Sequence, residues 1–94
     1  MKTIEKKLLP QYYQEVLKRH KTFEIRKDED DIQPGDKLVL REWAPDIGYT
    51  GHKITRFATY VLRNCPEYGL MDGFCIIAIQ PPGWDDEYYA AQTE

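Results

Sequence analysis

The chain has 94 residues, of which 41% are hydrophobic and 31% charged, and its formal net charge is −3 at pH 7. This length suits one domain with a single hydrophobic core. The acidic balance excludes a generally basic nucleic-acid binder, although it allows a local basic patch. No apolar run approaches the ~20 residues that span a bilayer, and the first residues lack the apolar core of a signal peptide. We therefore expect a cytoplasmic protein with no membrane partner.

The N-terminal part of the chain predicts a short strand followed by one helix. Residues Thr3 to Leu9 are half apolar, which favours a short strand. Pro10 suits the first turn of a helix because its missing N–H is not needed there. The apolar face of this helix is expected to contain Tyr12, Tyr13, Val16 and Leu17.

The next stretch, KTFEIR, begins at Lys21 and alternates apolar and polar residues, so it predicts a second strand. We expect Phe23 and Ile25 on the buried face of this strand, which leaves Glu24 and Arg26 side by side on the opposite face. Lys21 lies at the turn into the strand and can point to the same place. Charged groups of both signs at one strand end indicate either a salt-bridged surface or the floor of a binding site.

Three further strands are predicted downstream, the first of them after a strong turn signal at Gln33–Asp36, where Pro and Gly are adjacent. In the third strand, Leu38 and Leu40 fall on one face, and Arg41 and Trp43 fall on the other. The last strand is an unbroken apolar run, so we expect it at the centre of the sheet with both faces covered. The predicted bounds of the second to fifth strands are Phe23 to Lys27, Lys37 to Trp43, Lys53 to Leu62 and Phe74 to Ile79.

One helix and about five strands in mostly hairpin-like order predict an α+β fold with a small, barrel-like sheet. We expect residues 1–80 to form this single domain. Residues 81–94 then form an acidic, aromatic tail that includes Trp84, Tyr88 and Tyr89. Such a tail either packs back on the barrel or hangs free.

The sequence contains none of the motifs that bind metals or cofactors. Cys65 and Cys75 lack metal-ligand spacing and are expected to be reduced and structural. His20 and His52 are isolated and are expected on the surface. No Gly-rich phosphate loop and no nucleophile elbow is present. We therefore predict no cofactor and no metal.

Several sequence blocks resemble one known family. The blocks are Lys7–Pro10, Lys21–Arg26, Pro34–Asp36 with Leu38–Trp43, Tyr49–Gly51, Thr59–Leu62 and Phe74–Ile79. Together they resemble the ASCH group of the PUA-like superfamily, and within it a small uncharacterised family of bacterial and phage proteins. The resemblance implies a small PUA-like β-barrel of about five strands with one N-terminal helix, and an association with RNA. It departs at Arg19, where relatives usually have Gly, so the helix must end there with strain or with a different turn.

One branch of the ASCH group contains amidohydrolases that remove an acetyl group from acetylated cytidine, and this resemblance implies an enzymatic alternative. Their motif resembles Lys-x-x-Thr followed by Ile-Arg, with a further Glu later in the chain. This sequence matches it at Lys21, Thr22, Ile25 and Arg26 but has Glu24 in place of the motif's Thr. The later Glu has no firm counterpart, although Glu67 is available in a loop. A carboxylate cannot replace a hydroxyl nucleophile without a change of mechanism. As a hydrolase, the protein would use Glu24 as a general base and Lys21 to hold the developing negative charge.

The preferred interpretation is a module that binds single-stranded RNA or a nucleotide. We expect Lys21 and Arg26 to contact phosphate, Trp43 to stack on a base beside Arg41, and Glu24 to accept hydrogen bonds from a base edge. Aromatic rings beside basic side chains are typical of sites that bind unpaired bases, at ~1–3 kcal/mol per stacked base.

Two other interpretations stay open at this point. Glu24 and its basic neighbours can form a structural salt bridge, and Trp43 and Tyr60 can be core residues of a small barrel. The acidic, aromatic tail can also bind a protein partner, which would make the chain a protein-interaction module.

Overall fold

The computed structural model describes residues 1–85, which form five strands and one helix. This arrangement confirms a small α+β fold. A single 3-10 turn, Pro66–Tyr68, precedes the last strand. The elements are β1 (Thr3–Leu8), α1 (Pro10–Leu17), β2 (Phe23–Lys27), β3 (Lys37–Ala44), β4 (Gly48–Leu62) and β5 (Phe74–Gln80).

The five strands form one sheet in the order β1-β3-β4-β5-β2. β1 pairs with β3 in parallel, and the other neighbouring strands are antiparallel. Irregularities in register, between Arg41 and Trp43 and between Ala58 and Tyr60, occur in the ladders on the two sides of β4, and such bulges increase the local twist. The sheet curls into a half-barrel whose edge strands β1 and β2 approach each other. At this seam, Nη2 of Arg26 on β2 donates a hydrogen bond of 2.8 Å to the backbone carbonyl of Lys7 on β1.

The hydrophobic core fills the concave side of the sheet and is closed by α1. Alternate residues of β3 point into it, and Leu38 and Leu40 are fully buried, as predicted. The helix contributes Tyr13 and Val16. The core cluster consists of Leu8, Tyr13, Val16, Ile32, Leu38, Leu40, Ala58, Cys75, Ile77 and Ile79. Both cysteines are free and buried.

The predicted burial of β2 is wrong, because its charged face is the inner one. Phe23 and Ile25 are 42% and 55% exposed, whereas Glu24 is only 3% exposed. The pattern of alternation was read correctly, since Glu24 and Arg26 do share a face. β2 is an edge strand at the seam, and its inner face meets other charged groups that pair with Glu24, so the apolar residues are left outside.

The predicted apolar face of the helix is half correct. Tyr13 and Val16 are buried, but Tyr12 and Leu17 are 47% and 51% exposed. Neighbouring helical residues point about 100° apart. Because this eight-residue helix packs through one narrow stripe, it buries one residue of Tyr12-Tyr13 and one of Val16-Leu17. The strain expected where the helix ends is present, because Arg19 has a φ of 63°.

β4 differs from the prediction in its first residue, and β5 differs in the burial of its faces. β4 begins at Gly48 rather than Lys53, because the N-terminal residues of the strand pair with the end of β3. β5 is an interior strand between β4 and β2, as predicted, but its two faces are not both covered. Only one of its faces is buried, with Cys75, Ile77 and Ile79 pointing inward. The predicted tail lies largely outside the described residues, including Tyr88 and Tyr89.

Candidate functional site

A cleft of about 650 Å³ opens at the seam of the half-barrel, between the end of β1, the outer side of α1 and the strand β2. It combines an apolar wall with charged groups on its floor and rim. Its lining residues are Lys7, Leu8, Leu9, Tyr12, Glu15, His20, Lys21, Phe23, Glu24, Ile25 and Arg26. We call it the seam cleft. The two edge strands and the connecting helix all contribute to it, so the fold itself positions this cleft.

Three of the predicted site residues meet on the floor of the seam cleft. Nζ of Lys21 lies 2.6 Å from Oε1 of Glu24, and Nη2 of Arg26 lies 2.9 Å from Oε2. Nε of Arg26 also donates to Oε2, at 3.0 Å. The Glu24 side chain is 4% exposed, against 18% for Lys21 and 22% for Arg26. One buried carboxylate is therefore held between two partly exposed cations, which satisfies the requirement that a buried charge be paired.

The turn after the helix brings Lys21 to this position. Arg19 adopts a left-handed backbone conformation and donates its N–H to the carbonyl of Val16. The N–H groups of His20 and Lys21 then both donate to the carbonyl of Glu15, at 3.0 Å. These bonds satisfy carbonyl groups at the end of α1 and reverse the chain direction. As a result, Lys21 reaches back over the start of β2.

The hydrogen bonds on this floor leave donors rather than acceptors for a ligand. Both carboxylate oxygens of Glu24 already accept bonds from cations. Nζ of Lys21 also donates to the carbonyl of Phe23, at 2.7 Å, so one of its three N–H groups makes no hydrogen bond within residues 1–85. Among the bonds made within residues 1–85, none uses Nη1 of Arg26. The expected role of Glu24 as an acceptor from a base edge would therefore have to compete with both cations.

Two aromatic rings that the sequence analysis did not select as site residues flank the floor. The ring centroids of Tyr12 and Phe23 lie 5.7 Å and 5.1 Å from Nζ of Lys21. Both residues were expected in the core, yet both are close to half exposed. The available signal was the pair Tyr12-Tyr13, because adjacent helical residues point about 100° apart and a narrow packing stripe buries only one of them.

Arg41 and Trp43 do not line the seam cleft. Both lie on the outer face of β3, where Cζ of Arg41 is 3.9 Å from the ring centroid of Tyr49. Nζ of Lys7 lies 4.5 Å from the ring centroid of Trp43. Lys7 is the link between the two places, because it also lines the seam cleft. The predicted single site is thus divided into two neighbouring groups of residues.

A second buried carboxylate, Glu42, lies on the inner face of β3 beside a smaller cavity of about 450 Å³ lined by Tyr13 and His52. The hydroxyl of Thr50 donates to Oε1 of Glu42 at 2.8 Å, and Nδ1 of His52 lies 3.1 Å from the same oxygen. The hydrogen bond from Thr50, followed by the contact with His52, outweighs burial and lowers the pKa of Glu42. Burial and the nearby Glu42 raise the pKa of Tyr13. His52 is itself exposed, as expected.

Other features bear on the alternatives that the sequence left open. Glu67, the only candidate for the later Glu of the amidohydrolase motif, lies exposed in the 3-10 turn and does not line the seam cleft. His20 lies at the rim of that cleft, with Nδ1 3.6 Å from a carboxylate oxygen of Glu15. In the described part of the chain, no group of three or more His, Cys, Asp or Glu residues is placed to hold a metal ion. No helix within residues 1–85 is long and apolar enough to cross a membrane.

The fold and the seam cleft define a small α+β domain with a curled five-stranded sheet and a charged, aromatic cleft at its open edge. The family model of a domain of unknown function, DUF3850, matches residues 3–79, and the chain belongs to that family. The match begins at the first residue of β1 and ends one residue before the end of β5, so it covers the whole sheet. No curated protein matches the sequence.

Proposed function

We propose that this protein is a PUA-like module of the ASCH type, acting in the cytoplasm, that binds single-stranded RNA or a nucleotide in the seam cleft. The observation that carries the proposal is the excess of hydrogen-bond donors on the cleft floor between two exposed aromatic rings. The order of the elements, one helix after the first strand and a curled five-stranded sheet, is compatible with the PUA-like assignment.

The charge balance of the floor favours an anionic ligand. Lys21 and Arg26 supply two positive charges against the one negative charge of Glu24. The N–H groups of Lys21 and Arg26 that make no hydrogen bond within residues 1–85 can donate to phosphate oxygens. A guanidinium group is well suited to the geometry of a phosphate. Glu24 acts as the internal anchor that fixes both cations, so they need little reorganisation when a phosphate binds.

The walls of the cleft favour a planar group next to the phosphate. Tyr12 and Phe23 are close to half exposed, and both rings lie near Nζ of Lys21. A base stacked on one of these rings would place its phosphate near Lys21 and Arg26. Stacking of this kind is tolerant of sequence, because every base has a π face.

The amidohydrolase alternative is less well supported by the same geometry. A general base must be within reach of the water that it activates, whereas the Glu24 side chain is only 4% exposed and is paired with two cations. A hydrolase of this class would release acetate from acetylated cytidine. Complete absence of acetate at high protein concentration would remove that substrate from consideration.

The proposal is tested by titrating the protein with a short single-stranded RNA of mixed sequence at several salt concentrations. Lys21→Ala should weaken binding by about 3- to 10-fold and reduce the slope of log affinity against log salt by roughly one, because one phosphate contact is lost. The matched control is Lys27→Ala, which removes the same charge from the exposed end of β2, outside the seam cleft. We expect it to change binding much less.

Amide chemical shifts provide the second readout of the same titration. Binding at the seam cleft should move the amide signals of Tyr12 and of residues 21–26, and added salt should reverse these changes. The spectrum of unliganded Lys21→Ala also shows whether the variant is folded. Equal affinities for Lys21→Ala, Lys27→Ala and the unmodified protein would contradict the assignment of this cleft, and the absence of any binding would reject RNA as the ligand.

A further inference from the structure

A second cationic and aromatic surface lies beside the seam cleft, on the outer side of the sheet. We define it as the outer strip, which consists of Lys7, Arg41, Trp43 and Tyr49. The strand registers bring these residues together, because Lys7 pairs with Arg41 across β1 and β3, and Trp43 pairs with Tyr49 across β3 and β4. Two cation–ring contacts result, Lys7 with Trp43 and Arg41 with Tyr49.

The outer strip has the composition of a stacking platform. Tyr49 is 47% exposed, so its ring is accessible although Arg41 lies against it. A guanidinium group or an ammonium group over an aromatic ring restricts the orientation of the ring and adds a positive charge next to it. An unpaired base that stacks on such a ring therefore has a cation within reach of its phosphate.

Arg26 and Lys7 connect the outer strip to the seam cleft. They line the seam cleft, and they also line a groove of about 390 Å³ together with Arg41 and Tyr49. Arg26 itself spans the seam, since it binds Glu24 on one side and the carbonyl of Lys7 on the other. A single strand can therefore extend from the seam cleft to the outer strip along the basic side chains of Arg26 and Lys7.

The groove between the seam cleft and the outer strip is lined by more basic than acidic residues. Its lining includes four basic residues, namely Lys6, Lys7, Arg26 and Arg41, and two acidic ones, Glu5 and Glu29. Each acidic residue has a basic neighbour, since Glu29 lies 3.4 Å from Lys6 and Glu5 lies 3.8 Å from Arg41. Lys6 is also paired with Asp30, and Arg26 with Glu24. Within residues 1–85, Lys7 is therefore the lining cation that has no carboxylate partner, and it is available to a phosphate where the backbone of a strand would cross the seam.

From this arrangement we infer that the ligand is a single strand of at least two or three nucleotides rather than a free nucleotide. One base enters the seam cleft, the backbone crosses the seam at Arg26 and Lys7, and a following base stacks on the outer strip. The inference rests on the proposed function and narrows it to an oligonucleotide. It also gives Arg41 and Trp43 a role in binding that does not require them to line the seam cleft.

The test is a length series on the unmodified protein, with a mononucleotide, a trinucleotide and a hexanucleotide of single-stranded RNA. We expect the trinucleotide to bind about 10-fold or more tightly than the mononucleotide, because a second linked contact adds to the first. The amide signals of residues 21–26 should respond to every ligand. Those of Arg41, Trp43 and Tyr49 should respond only to the longer ones.

Substitution on the outer strip separates the two subsites. Tyr49→Ala should reduce trinucleotide affinity by about 5- to 10-fold, toward that of the mononucleotide, and leave mononucleotide binding unchanged. The matched control is Tyr60→Ala, which removes another exposed tyrosine of β4 that lines neither groove. We expect this control to bind all ligands normally.

The outcomes distinguish the inference from the proposed function. If mononucleotide and trinucleotide bind equally and the outer-strip signals stay still, the inference is overturned while nucleotide binding stands. If no length of RNA binds, the proposed function fails and the inference fails with it. The length series does not depend on a variant, so a folding defect in Tyr49→Ala cannot obscure the result.

Discussion

Glu24 and Glu42 are both buried carboxylates, but their partners differ in kind. Glu24 is held by the ammonium group of Lys21 and the guanidinium group of Arg26. Glu42 is held by the hydroxyl of Thr50 and by a histidine ring, which is charged only when protonated. One site thus has excess positive charge, and the other has a carboxylate stabilised mainly by a neutral donor.

Because of this difference, we assign ligand binding to the site of Glu24 and pH-dependent stability to the site of Glu42. Lys21 and Arg26, the partners of Glu24, line the seam cleft and have N–H groups that make no hydrogen bond within residues 1–85, so this site can bind an anion. The partners of Glu42 lower its pKa, so this carboxyl group links folding stability to pH.

The largest expected effect is that of Glu24→Gln on stability. The amide keeps the shape of the side chain but leaves Lys21 and Arg26 without a counter-charge. We expect the free energy of unfolding to fall by about 2–3 kcal/mol, below the ~3–5 kcal/mol typical of a broken buried pair, because both cations are partly exposed and can hydrate. Urea denaturation measures the change.

The matched control for this variant is Glu15→Gln, which alters a half-exposed glutamate at the rim of the same cleft. Surface changes of this type usually stay within about 0.5 kcal/mol. Equal stabilities of Glu24→Gln and Glu15→Gln would mean that Glu24 does not anchor the two cations.

An intermediate effect is expected for Thr50→Val, which removes the hydroxyl donor to Glu42. The folded-state pKa of Glu42 is lower than its ordinary value of 4.5. Its contribution to stability is therefore present above that ordinary value and is lost as pH falls through the folded-state pKa. Without the hydroxyl, the folded-state pKa should move back toward 4.5. Stability at neutral pH should then decrease, and its dependence on acidic pH should become shallower.

Thermal unfolding from neutral to acidic pH measures this dependence, and Thr50→Ser is the matched control because it keeps the hydroxyl. We expect Thr50→Ser to follow the unmodified protein over the whole pH range. If Thr50→Val and Thr50→Ser show the same acid profile, the hydroxyl is not what lowers the pKa of Glu42. The contrast drawn between Glu24 and Glu42 would then not hold for Glu42.

Much of the fold followed from local sequence pattern. The bounds of β2 were predicted correctly, and those of β3 and β5 to within one residue, because alternation and adjacent turn residues are local signals. The first five residues of β4 were missed, since Gly48 and Gly51 have positive φ and are poor strand formers, and this segment is part of the strand because it pairs with the end of β3. The parallel pairing of β1 with β3 is a contact between distant segments, which no local pattern specifies.

The site was predicted in part, for a similar reason. The meeting of Lys21, Glu24 and Arg26 followed from strand alternation and a nearby turn. Which face of β2 is buried could not be read from alternation alone, because an ion-paired face can be buried as well as an apolar one. Exposure of Phe23 is the consequence, and it depends on how the sheet curls.

The smallest expected effect is that of Arg19→Gly, in the turn that carries Lys21 to Glu24. A side chain at a φ of 63° costs roughly 1–2 kcal/mol, and the greater freedom of Gly in the unfolded chain offsets ~0.4–1 kcal/mol of this. The variant also removes a positive charge that, after burial, is the next cause of the lowered pKa of Arg56. We therefore expect a gain of about 0.5–1 kcal/mol.

The control Arg19→Ala removes the same charge but keeps a side chain at positive φ, so equal stability of the two variants would assign the gain to charge rather than to backbone strain. Arg19→Gly changes the chain segment that leads to Glu24 and the charge near Arg56, whereas Glu42 is held by Thr50 and His52 in the hairpin between β3 and β4. The acid profile that depends on Glu42 should therefore be unchanged in Arg19→Gly. If the profile does shift, the two carboxylates are coupled through α1, and the separation of binding from pH-dependent stability would have to be abandoned.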